Sequence, residues 1–168
     1  MKKFFVVSII LFSFFLSGCV HKDLIDIFLF SEKFSKYSEN FEIDTSALIA
    51  ENEKEEIIFP IIFSDKFLIT VRANEKTSLI SSVSVVYAYD EKNTLSDKDF
   101  LLLKELIESS VKAFTSNQNV NDIFENLSIT KKGNITKNTH LHFEKDFYKY
   151  SLVSNEVGIY FSASTERQ

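Results

Sequence analysis

The chain has 168 residues, 45% of them hydrophobic, and a formal net charge of −5. That length and apolar share describe one globular domain and exclude a disordered chain. The 19 basic residues are outnumbered by 24 acidic ones and form no dense stripe, so no nucleic-acid partner and no electrostatic grip on anionic lipid is expected.

The chain opens with Lys2 and Lys3, a short positive stretch, followed by an apolar run from Phe4 to Ser17. That run is shorter than the roughly 20 residues a spanning helix requires, and His21, Lys22 and Asp23 stop it from continuing. It reads as a secretory signal peptide. At its end stand Leu16-Ser17-Gly18-Cys19. The only cysteine of the chain has no partner for an internal disulfide, and its place in this junction accounts for it. The junction resembles the lipobox of bacterial lipoproteins, and the resemblance covers about the first 20 residues. It implies removal of residues 1–18, a diacylglyceryl group on the Cys19 thiol and acylation of the new amino group. Two or more acyl chains make a stable anchor, whereas one holds only marginally. The organisation expected is a signal peptide at 1–18, a lipidated cysteine and tether at 19–22, and one extracytoplasmic domain at 23–168. The residue after Cys19 is Val20 and not Asp, which in such lipoproteins implies the outer membrane where the host has two.

Ile27, Phe30, Phe34, Tyr37 and Phe41 recur at steps of three and four, which predicts an amphipathic helix over 23–41, with Leu24, Ile25, Phe28 and Leu29 widening its apolar face. Its polar face is not rich in Lys or Arg, so packing on the protein's own sheet is expected in preference to lying on lipid. Asp44 to Glu56 reads as a connection, with a short strand at Ala47–Ala50. Ile57 to Phe63 holds Pro60, which cannot donate to a ladder and so predicts an edge or bulged strand. Phe67–Ala73 and Leu79–Tyr89 alternate apolar and polar residues across Asn74-Glu75-Lys76-Thr77 and predict an antiparallel hairpin. Ser96, with Asp99 three residues on, predicts a capped helix start. Phe100, Leu103, Ile107, Ser110 and Phe114 form its buried seam, widened by Leu106 and Val111, facing Val83, Val85, Ile159 and Phe161. A short helix is expected over 120–127, capped by Asn119 or Asn121. A polar loop over 130–139 follows, then a hairpin of Leu141–Val153 with Val157–Ala163. Strands grouped on either side of helices predict an α+β fold: an antiparallel sheet of about four to six strands, helices on one face.

No nucleophile elbow, phosphate-binding glycine loop, HExxH or CxxC motif is present, so no catalytic residue and no cofactor are assigned. His140, His142 and Glu144 are the metal-ligand candidates: at i, i+2 and i+4 they share one face of a strand, and their chemistry suits Zn²⁺. The same spacing is that of the solvent face of a terminal strand with Leu141 and Phe143 turned inward, and that reading is preferred. The functional expectation is a non-catalytic envelope module, accessory, inhibitory or immunity-like, that binds an envelope protein or cell-wall partner. An envelope hydrolase or a metal-binding lipoprotein is the alternative. The partner surface is expected on the exposed side of 57–73 or on the loop over 130–139.

Overall fold

The computed structural model describes residues 25–90, 94–116, 119–136 and 138–165; the expected signal peptide, lipidated Cys19 and tether lie outside them. Asp26 caps the first helix, its carboxylate accepting from the Leu29 amide at 2.8 Å. Helix α1 (Ile27–Tyr37) buries Ile27, Phe30 and Phe34. It is shorter than its apolar period because Ser38 takes an extended backbone. Phe41, beyond the helix, still packs its ring 4.9 Å from that of Phe63 and 5.7 Å from that of Phe67. Phe28 and Leu29 do not join the buried face as expected, and both are exposed.

A four-strand meander follows: β1 (Glu51–Glu53), β2 (Glu56–Ile62), β3 (Phe67–Asn74) and β4 (Ile80–Ala88). The strand expected at Ala47–Ala50 is instead a 3₁₀ turn over Thr45–Ala47, with β1 just after it. β1 pairs with residues 56–58 only, so Pro60 lies on a stretch of β2 with no strand on that side. The hairpin of β3 and β4 forms as its alternation requires, with Phe67, Ile69, Val71, Val83, Val85 and Tyr87 buried.

Helix α2 (Asp97–Thr115) starts at Ser96, whose hydroxyl accepts from the Asp99 amide at 3.0 Å. Leu103, Leu106, Ile107, Val111 and Phe114 are buried, while Phe100 is half-buried at the rim of the core. Each fully buried side chain of this size contributes about 1.5–3 kcal/mol. Helix α3 (Asn121–Asn126) turns Ile123 and Phe124 inward; neither expected Asn caps it, because Val120 takes the N-cap position, while Asn119 just before it accepts from the Asn121 amide at 3.2 Å. The loop expected over 130–139 contains a further turn, α4 (Lys132–Ile135), with Ile135 buried.

Three strands close the fold: β5 (Thr139–Lys145), β6 (Tyr148–Ser154) and β7 (Gly158–Thr165). The stretch Leu141–Val153 is therefore not one strand. It folds back at Asp146-Phe147, with φ of 52° and 69°, the positive values of a two-residue hairpin turn. The extra hairpin gives seven strands, one more than the upper end of the expected range. All pairs are antiparallel, in the order β1-β2-β3-β4-β7-β6-β5, and the helices cover one face, so the fold is α+β. Gly158 sits where β7 passes β4, and a Cβ there would run into the Tyr87 carbonyl oxygen.

Candidate binding surface

The strands place alternate residues on opposite faces. One set, including Ile69, Val71, Val85, Leu152 and Phe161, is buried beneath the helices. Of the opposite set only Gly158 is buried. Register arranges that open face in rows. A middle row runs Thr70, Ser84, Ser162, Ser151 and His142, a band of small hydroxyls in which Ser151 and Ser162 share a hydrogen bond of 2.8 Å. On one side of it lie Leu68, Val86, Tyr160 and Val153. On the other lie Arg72, Ser82, Ser164 and Lys149. Arg72 is held by Glu56 at 3.1 Å and Glu53 at 3.5 Å. The hydroxyl band itself is lined mostly by short, uncharged side chains.

The His140, His142 and Glu144 side chains lie on one face of β5, the outermost strand, as their spacing requires. All three are exposed. The two imidazole rings stand 4.4 Å apart, and Glu144 turns towards Lys149 at 3.7 Å. Among the described residues no group of three His, Cys, Asp or Glu side chains is arranged to hold a metal ion. Ser151 lies opposite His142 in register, but its hydroxyl is engaged with Ser162. His140 also borders an open groove of about 550 Å³ with Asn138, Thr139 and residues 154–157. A second groove of the same volume lies over Glu53–Glu56 and Arg72.

Two polar clusters escaped sequence reasoning, because each joins residues far apart in the chain. In the first, the Asp99 carboxylate accepts from the Tyr87 hydroxyl at 3.1 Å and from the Lys66 ammonium at 3.3 Å. Burial raises the Asp99 carboxyl, but bonds from Ser96, Tyr87 and Lys66 outweigh it and hold the group below its ordinary value. The bond to Asp99 raises Lys66, and burial, then the bond to Asp99, pushes Tyr87 far above the usual phenol range. At neutral pH all three keep one protonation state, so the cluster clamps the α2 N-terminus to the sheet and is not a proton relay. In the second, Glu105 Oε1 accepts from the Ser38 hydroxyl and the Glu39 and Asn40 amides, each at 2.7 Å. It fastens the exit of α1 to α2.

The two ends of the sheet differ. The Ile80 amide donates to the Ile25 carbonyl at 2.8 Å, so the chain enters the domain at the start of β4. The same end carries the β1–β2, β3–β4 and β5–β6 turns. The Lys66 clamp and residues 154–157 occupy the far end. Among the described residues no helix is long and apolar enough to cross a membrane. Comparison of the chain with protein-family models, with curated proteins and with solved structures finds no match.

Proposed function

We propose that the protein is a bacterial lipoprotein held on the extracytoplasmic side of a membrane by lipid on Cys19, and that its domain is a non-catalytic binding module for an envelope protein or cell-wall partner. The observation that carries the anchor is the Leu16-Ser17-Gly18-Cys19 junction behind a short apolar run. The binding role is supported by the sheet, which turns away from its helices a face with a central band of hydroxylic side chains, flanked by larger apolar, aromatic and charged ones. Such a face offers area and hydrogen-bonding groups without an enclosed, water-excluding site. Anchoring suits the role, because confinement to a surface raises the effective concentration of a weak binder without new contacts.

The test uses a photo-crosslinking amino acid placed in intact cells at Ser84 or Ser162 on the open face, and at Glu108 on α2 as the contrast. The reading predicts one discrete adduct from both sheet positions and none from Glu108. Adducts from Glu108 alone would move the working surface to the helices. Robust turnover of an esterase, peptidase or glycosidase substrate, lost in Ser151→Ala, would refute the binding reading in favour of a hydrolase.

A further inference from the structure

The end of the domain at which the chain enters carries the two exposed phenylalanines of the described residues. Phe28, on the first turn of α1, is 67% exposed, with Leu29 beside it at 38%. Phe147, at the tip of the β5–β6 turn, is 71% exposed. Exposure alone does not single them out, since Ile62, Leu101 and Val157 are equally exposed elsewhere. At Phe147 the backbone adds a second observation, and at Phe28 and Leu29 the short distance from Cys19 in sequence does. Phe147 holds φ at 69° and its neighbour Asp146 at 52°, in a turn that ordinarily takes Asn-Gly. A bulky residue in the left-handed region costs conformational energy, and here its ring is turned into solvent, where no packing recovers that cost. The pattern fits a side chain kept for a contact outside the domain.

We infer that Phe28, Leu29 and Phe147 form an apolar foot that inserts into the interfacial zone of the lipid bilayer. The inference rests on the anchor reading. Six residues, Cys19–Leu24, separate the lipidated thiol from Ile25. Even fully extended, six residues reach only roughly 20 Å, so whatever surrounds Ile25 is held against the bilayer. Aromatic side chains favour that zone, and each buried apolar group adds to the hold of the acyl chains. The contact is apolar and not electrostatic: at this end Lys54 is followed by Glu55 and Lys76 preceded by Glu75, so the turns carry no excess of positive charge. The foot fixes orientation. It sets the sheet upright on the membrane, with the Lys66 clamp and Val157 pointing away and the open face accessible from the side.

The chain contains no Trp and a single Cys, which makes the test direct. Residues 19–168, which retain all the residues of the core, are coupled through Cys19 to a maleimide headgroup in phosphatidylcholine vesicles, with and without bromine on the acyl chains. Chemical coupling makes the result independent of whether cells lipidate Cys19, so failure here is distinct from failure of the anchor reading, which fatty-acid labelling measures. Phe28→Trp and Phe147→Trp report the foot, and Val157→Trp reports the far end. The foot predicts blue-shifted emission and clear quenching by bromolipid for the first two, as expected at interfacial depth, no quenching at position 157, and no change with salt. Quenching at position 147 no greater than at position 157 would overturn the inference. A blue shift that disappears when the coupled protein is diluted on the vesicle would also overturn it, assigning the contact to a second copy of the chain.

Discussion

Glu105 gives the sharpest test of how the helical layer is held. Glu105→Gln keeps the shape of the side chain but removes its charge. It also turns one acceptor into a donor facing Asn40, whose side-chain amide donates to Oε2 in the native protein. Burial by itself raises the Glu105 carboxyl, but the bonds from Asn40, Ser38 and Glu39 outweigh that and leave it below its ordinary value of 4.5. Hydrogen bonds to a charged group contribute about 1.5–3 kcal/mol, and neutral ones about 1. This cluster lies at the surface, where water competes, so the expected loss is about 1–2 kcal/mol, or roughly 3–6 °C in Tm for a domain of this size. A carboxyl whose pKa is depressed by folding stabilises fully above its unfolded value and loses that contribution as pH falls through the folded one. The difference between wild type and Glu105→Gln should therefore be complete at neutral pH, begin to shrink as pH falls towards 4.5 and reach its minimum only once pH has fallen below the depressed folded-state value. Urea denaturation followed by circular dichroism at both extremes measures it. A difference equally large at both would show that charge has no part in the attachment.

Phe147→Gly relieves the left-handed backbone at the hairpin tip and should raise the unfolding free energy by about 1 kcal/mol; a fall in the urea midpoint would mean that the exposed ring packs on the domain after all. Calorimetry with Zn²⁺ should reveal no micromolar site lost in His140→Ala, since among the described residues no third ligand is arranged beside the two imidazoles and Glu144 faces Lys149; such a site would make the His pair functional.

Much of the core was legible because its chemistry is periodic. Ile69, Val71, Val83, Val85, Ile159 and Phe161 recur at every second position with mostly polar residues between them, since one side of each strand is dry. Leu103, Ile107 and Phe114 recur at helical spacing for the same reason. The second hairpin was not legible. Asp146-Phe147 contains neither Gly nor Asn, so a turn built on positive φ left no mark, and two strands read as one. Apolar spacing alone places Phe28 and Leu29 on the buried face, because it records hydrophobicity and not what lies opposite. The stripe of α1 that meets the sheet runs through Ile27, Phe30 and Phe34, and these two residues fall outside it. Asp99 was legible as part of a helix start but not as the partner of Lys66 and Tyr87, which only tertiary structure brings to it. The His140, His142 and Glu144 face was legible as a face, whereas the pull of Lys149 on Glu144 depends on the unanticipated strand β6.

The central claim, a lipid anchor at Cys19, is tested most directly by metabolic labelling with an alkyne-bearing fatty acid, followed by click detection of the immunoprecipitated protein from membranes. The account predicts a labelled, membrane-bound protein shortened by residues 1–18, and in Cys19→Ser an unlabelled precursor of full length. Label that persists in Cys19→Ser, or its absence from the wild type in cells whose other lipoproteins are labelled, would contradict it.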